Sequence, residues 1–439
     1  MSSVNLFIII AYYLCKKKYM MMFFMLFVYS FYLANFVLYL KEVDYFNFDF
    51  LVLFYDYLSF LMVSLSYFIV LFIFLLKKKN NNLILFSMLS IMFVFLKFSF
   101  FMNSLLNFYL FFEFCMIPLM ILILIMGSSV ERFISVMYML LYTMLGSLIF
   151  LSLILLMSKS IFISLEKSVF FYKNSGYLWI LMFMVFLVKI PFFSFHFWLP
   201  KAHVEGPVSC SMLLAGILLK LGGFGLIRLG LFLSMNSLKL FMNVIMLFSM
   251  VGALIVSVVC VFQVDIKLLI AYSSISHMGL MLSGLLSGSQ MGSMFGVMMM
   301  LSHGFCSSGL FFLGNMFYLR CKSRNMFMYK NILIYSPVFS TLWMLMVVFN
   351  MGTPPSMNFF SEIYLLVVLL NKSILFMILF LIIMLISVYY SLNLFLRSGQ
   401  GLSWDLNFFK KETFMELFIS LGHIMFLLIC LFNFKLFLI

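Results

Sequence analysis

Apolar runs of about 20 residues, long enough to cross a hydrocarbon core of roughly 30 Å, follow one another along the whole 439-residue chain. No stretch between them is long enough for a separate soluble domain. The expected fold is therefore an all-α polytopic membrane protein built as one body. Composition agrees: 66% of residues are hydrophobic and 9% charged, against about 25% charged in an ordinary soluble domain.

Charge placement supports the same class. The net charge of +14 comes from short lysine runs between hydrophobic segments, a membrane-anchoring pattern, so no nucleic-acid partner is expected. In "MSSVNLFIIIAYYLCKKK" the lysines follow the apolar segment, the reverse of a secretory signal. A retained first span is expected. Cysteines 15, 115, 210, 260, 306, 321 and 430 show no C-x-x-C and no Cys/His cluster at metal spacing, so they read as lipid-facing or packed thiols without a metal. With 61 Phe and 41 Met spread everywhere, neither type marks a site.

Hydropathy and turn signals place fourteen spans near 2–15, 20–40, 52–76, 83–102, 104–126, 133–157, 177–199, 208–231, 239–262, 266–287, 290–319, 332–370, 373–396 and 414–438. Loops after odd-numbered spans carry 16 Lys and Arg residues and those after even-numbered spans 7. The positive-inside rule then puts both termini on the outer side. Two spans contain helix breakers. Pro191 interrupts the seventh and should free the Leu187 carbonyl, while Pro354 and Pro355 interrupt the twelfth and should free those of Asn350 and Met351.

Four regions follow in sequence: helices 1 to 3 in 1–82, helices 4 to 8 in 83–231, helices 9 to 13 in 232–397, and a loop with helix 14 in 398–439. The two middle groups each hold a proline-broken helix in fourth place. Five helices per group invert the second relative to the first, the inverted-repeat plan of transporters whose sites lie at interrupted helices.

Ionisable residues deep in spans are functional candidates by default. Lys97 lies near its span's end, where its head can snorkel. Glu113, Lys189, Lys220 and Glu362 lie too deep for that. At roughly 3 kcal/mol each, four unpaired charges cost about 12 kcal/mol, comparable to a domain's whole stability. They must be paired, hydrated or neutralised. Two structural ion pairs would satisfy the charges, yet buried pairs stabilise poorly compared with apolar replacements, and two of the four adjoin helix breaks. Desolvation disfavours a lysine's charged form and a nearby carboxylate favours it, so a mobile carboxylate can load and unload a proton. His303 and His277, both mid-span, are relay candidates; His196 and His203 read as structural. No matched histidines suggest a haem. A Walker loop and a dinucleotide fingerprint are likewise absent.

The stretches "VKIPFFSFHFWLPKAHVEGPVSCSMLLAGILLKLGGFGLIRL" (188–229), "DIKLLIAYSSISHMGL" (265–280), "LSHGFCSSGLFFLGNMFYLR" (301–320) and "NMGTPPSMNFFSE" (350–362) closely resemble the antiporter-like membrane-arm subunits of mitochondrial NADH:ubiquinone oxidoreductase, respiratory complex I. That family is related to subunits of multisubunit cation/proton antiporters. The resemblance implies that Glu113 partners Lys189 as a gate, that Lys220 is the central lysine, His303 its relay and Glu362 the acid at the outlet, with His277 a further relay candidate.

It implies an inner-membrane, multi-pass subunit of the respiratory chain that translocates protons but does no redox chemistry itself. NADH, FMN, iron-sulfur clusters and ubiquinone would be held by partner subunits, with no cofactor on this chain. Neighbouring antiporter-like subunits and lipids are the implied partners. An Mrp-type cation/proton antiporter subunit is the alternative, and a structural subunit with inert ion pairs a second.

Overall fold

The structure, a computed structural model, describes residues 45–48, 51–54, 56–76, 83–102, 104–127, 129–157, 176–230, 239–328, 336–399 and 412–432. The first two expected spans, 2–15 and 20–40, lie outside the described residues.

The chain divides into a unit of residues 1–57 and a unit of residues 58–439. In the first, Tyr45–Phe48 (β1) and Leu51–Phe54 (β2) form an antiparallel hairpin with Tyr45 opposite Phe54. Aromatic and β-branched residues favour strands, and a short apolar run does not distinguish strand from helix by hydropathy. The third span, expected from residue 52, consequently begins as a helix only at Tyr57.

Among the described residues the other elements are helical: α1 (Tyr57–Leu75), α2 (Leu83–Phe101), α3 (Leu105–Phe114), α4 (Met116–Met126), α5 (Arg132–Met157), α6 (Gly176–Lys189), α7 (Trp198–Glu205) and α8 (Val208–Leu213). A π turn, Leu214–Leu218, joins α8 to α9 (Leu219–Gly230). Then come α10 (Lys239–Phe262), α11 (Ile266–Leu286), α12 (Gln290–Cys321), a short 3₁₀ turn at Met326–Met328, α13 (Pro337–Asn350), α14 (Met357–Leu370), α15 (Ile374–Gly399) and α16 (Phe414–Phe432). Among the described residues, nine helical stretches are long and apolar enough to cross a membrane, with α3–α4 and α8–α9 each counted as one.

At the centre lies α12, with every residue from Phe295 to Gly314 buried. A helix enclosed on every side needs no polar stripe. Its hydroxyls are satisfied within the helix: Ser302 donates to the Met299 carbonyl (3.2 Å), Ser307 to His303 (2.7 Å) and Ser308 to Phe305 (3.2 Å). Such back-bonding allows a serine-rich helix to sit in an apolar interior.

Gly304 of α12 meets Gly216 of the π turn almost backbone to backbone. A Cβ at Gly304 would lie 3.2 Å from the Gly216 carbonyl and would press on Leu65 of α1. This close passage brings the neighbours of both glycines together. Gly304→Val should therefore cost at least the 1–3 kcal/mol typical of overpacking and separate the two backbones. The expected result is less folded protein and a lower melting temperature in detergent, checked by thermal unfolding.

Both expected breaks exist, with different carbonyls involved. After α6, the Ile190 amide reaches the Phe186 carbonyl at 2.8 Å and the Phe192 amide reaches that of Leu187 at 3.3 Å. Leu187, expected to be free, is thus served by a wider turn. After α13, Thr353 Oγ1 donates to Val348 (3.0 Å) and Asn358 Nδ2 to Phe349 (2.8 Å). The helix ends at Asn350, and these two side chains supply donors to carbonyls just before its end, where the Gly352 amide also reaches Phe349 at 3.3 Å. Ser356 then starts α14 by accepting from the Phe359 amide at 3.2 Å, an N-cap.

The expected basic side is tied across elements. Lys267 donates to the carbonyls of Val204 (3.4 Å) and Gly206 (3.1 Å), Arg324 lies 3.7 Å from Glu205, and Asp265 pairs with Asn325 as an isolated bridge. These contacts hold α7 against the start of α11 and the end of α12.

Candidate functional site

Six ionisable residues singled out by depth in the sequence fall into two groups. In the first, Lys189 Nζ lies 2.9 Å from Glu113 Oε1, with side-chain exposures of 2% and 15%. Lys189 is the last residue of α6, where a cation faces the negative end of the helix dipole. Its ammonium also sits 3.9 Å from the centre of the Phe112 ring. Glu113 is the penultimate residue of α3, where the helical pattern falters at Cys115 before α4 begins.

The second group is a row. Lys220 is wholly buried, and its Nζ contacts the Ala215 carbonyl at 2.5 Å and His303 Nδ1 at 2.9 Å. Ala215 belongs to the π turn, a feature common at functional sites. Beyond His303, the His277 ring centre is 5.6 Å away. His277 Nδ1 in turn lies 3.6 Å from Glu362 Oε1. His303, His277 and Glu362 are at most 2% exposed. Four helical elements, α9, α12, α11 and α14, each contribute one member.

The chemistry of the row follows from its donors. A charged lysine donates to His303 Nδ1, which leaves the ring neutral with its proton on Nε2. If the proton crosses the 2.9 Å contact, Nδ1 becomes the donor and the lysine is neutral. That contact can therefore exist in two forms that differ by one proton position.

Gly222 links the groups through the backbone: a Cβ there would lie 3.1 Å from the Ile190 nitrogen and 3.4 Å from the Lys189 carbonyl carbon. No hydrogen bond or ion pair among the described residues joins Lys189 to the row. His196 and His203 make no hydrogen bond to either group among the described residues; His203 stacks on Phe311 with ring centres 4.5 Å apart and lies within electrostatic range of Lys220 and His303. The Lys97 ammonium lies 4.6 Å from the centre of the Phe93 ring.

Sequence reasoning did not find the π turn, the central position of His277, or Asn358. Asn358 is 1% exposed and lies four residues before Glu362. Its signal was that spacing, since i and i+4 share a helix face. Gly352, with φ +69°, packs directly on the Glu362 carboxylate, where a Cβ would collide with Oε2.

A family model described as "NADH:quinone oxidoreductase/Mrp antiporter, TM" matches residues 102–387, an interval that contains both groups. The chain belongs to this family. Among curated family members, NADH-ubiquinone oxidoreductase chain 4 of Rhipicephalus sanguineus is 40% identical over 379 residues, covering 84% of this chain and 86% of the relative. A chain in the solved respiratory complex I from Thermus thermophilus with bound NADH superposes with a TM-score of 0.78 at 25% identity, covering 86% of this chain and 81% of that one. A chain of the Mrp complex from a Dietzia species gives a TM-score of 0.79 at 14% identity, over 88% of this chain and 82% of that one, a likeness of fold alone. The family thus spans both readings made from the motifs.

Proposed function

We propose that this chain is a proton-translocating, non-redox membrane-arm subunit of respiratory complex I in the mitochondrial inner membrane. The observation that carries this reading is the buried row Lys220, His303, His277, Glu362, with Lys220 beside the π turn and Glu362 just after the break before α14, together with the separate Glu113–Lys189 pair. Lys220 takes a proton from the basic, matrix-like side. The proton then passes to His303, to His277 and to Glu362 for release outward. The 3.6 Å approach of His277 to Glu362 is longer than a direct hydrogen bond, so a small closure or one bridging water completes that step.

Glu113 and Lys189 act as the gate. With the carboxylate close, the ammonium is compensated; when the carboxylate withdraws, an isolated charge in apolar surroundings is costly and the field acting on Lys220 changes. Moving one charge outward takes about 2.3 kcal/mol per 100 mV. Partner subunits that hold NADH, FMN, iron-sulfur clusters and ubiquinone supply that work.

Glu362→Gln tests the reading. In the assembled complex reconstituted in vesicles, protons translocated per electron should fall by the whole share this chain carries. An unchanged ratio would refute it. The fold likeness to the Mrp complex favours one alternative, a cation/proton antiporter subunit, and quinone-independent ion flux by the isolated chain in liposomes would establish that instead.

A further inference from the structure

Asn358 occupies a position the proposed path does not use. It is buried at the start of α14, and its Nδ2 donates to the Phe349 carbonyl at 2.8 Å, which fastens the end of α13 to the start of α14. Among the described residues, Asn358 Oδ1 and both carboxylate oxygens of Glu362 are buried without a hydrogen-bond partner, with the Cys306 thiol also facing the Asn358 side chain. Buried polar atoms left unpaired are uncommon. Residues four apart on a helix have Cβ atoms about 5–6 Å apart, close enough for side chains of this length to share a hydrogen bond. The Cys306 thiol lies on the same side of the break, 3.8 Å from Asn350 Oδ1. Gly352 closes over the carboxylate from the turn.

We infer that Asn358 is a positioning residue for Glu362: its Oδ1 accepts the hydrogen bond of the protonated carboxyl while its Nδ2 stays on Phe349. The amide therefore connects the acid's protonation to the joint between the two half-helices. When Glu362 receives the proton from the His277 side, its new O–H turns to Asn358 Oδ1. When the proton leaves, the carboxylate has nothing to donate, and the amide holds only the backbone. No bond other than the O–H is made or broken. This inference rests on the proposed role of Glu362.

Infrared difference spectra of the assembled complex test it. The protonated-carboxyl band that Glu362→Gln removes should lie in the hydrogen-bonded range in the unaltered protein. In Asn358→Leu, a variant of similar size, the band should move to higher frequency, and the protons translocated per electron should fall by this chain's share. If the band lies at the position of a free carboxyl in the unaltered protein, the inference is overturned even if Asn358→Leu fails to assemble. A band that stays put in Asn358→Leu also overturns it and leaves Asn358 as a mere fastener, whatever happens to pumping. If Glu362→Gln pumps normally, the proposed function falls, a result independent of where the band lies.

Discussion

Replacing Lys220 with methionine is expected to abolish proton transfer through this chain while leaving it able to assemble. Methionine matches the lysine stem in length and brings no charge into a site that is wholly buried. Apolar replacements of buried ionic groups are often neutral or stabilising. The structural losses are two hydrogen bonds, to the Ala215 carbonyl and to His303 Nδ1. An acceptor left unsatisfied in this way costs about 1–3 kcal/mol. That is too little to account for complete loss of transfer, which instead follows from removing the only group of the row that carries an ammonium proton. Lys220→Arg separates the shuttle from a simple electrostatic anchor. The guanidinium keeps a positive charge yet does not give up its proton in proteins, so it should also abolish transfer. Protons per electron, measured alongside the amount of assembled complex, decide the matter; wild-type stoichiometry in the arginine variant would mean that Lys220 supplies charge alone.

Hydropathy made most of the spans legible because most of the described long helices are apolar runs closed by charges or turn residues. The prolines likewise located both breaks. What sequence did not reveal depends on three-dimensional detail. The segment Leu51–Phe54 is apolar enough to read as the start of a span, yet it pairs with Tyr45–Phe48 as a strand. The π turn leaves no signature, since "LAGIL" suits an ordinary helix; only the close approach of Gly216 to Gly304 shows why small residues stand there. The donors that close the end of α13 were not legible for a similar reason. Counting four residues back from a proline identifies the bond it removes, whereas the observed end of α13 is set by Thr353 and Asn358 turning inward.

Legibility of the site follows the same division. A charge at mid-span is costly wherever it points, so depth alone identified Glu113, Lys189, Lys220 and Glu362. Histidine and asparagine cost less to bury, and their importance depends on their neighbours. His277 therefore read as an optional relay although it stands between His303 and Glu362, and Asn358 escaped notice altogether. Sequence also gives no distances. The resemblance implied a gate and a relay without saying how they touch; the structure has a pair and a row that meet through the backbone at Gly222.

The Glu113–Lys189 pair should respond to single and double replacement in opposite ways. Glu113→Gln leaves the Lys189 ammonium, 2% exposed in its side chain, with only the Phe112 ring and the end of α6 for compensation. Removing one partner of a buried pair typically costs about 3–5 kcal/mol. Assembly of the single variant should therefore drop well below wild type, and Lys189→Met should show the converse loss with an uncompensated carboxylate. In the double variant Glu113→Gln/Lys189→Met no unpaired charge remains, so assembly should recover most of the loss, a coupling a double-mutant cycle measures directly. Pumping distinguishes what the pair is for. An inert tie predicts that the double variant pumps as wild type once it assembles. A gate predicts that it assembles and still moves fewer protons per electron, because no charge is left to shift the balance at Lys220. The second outcome is expected here: the pair sits one residue before the break in α6, against the same α9 backbone that carries Lys220, so its charge state and the first step of the row share a single joint.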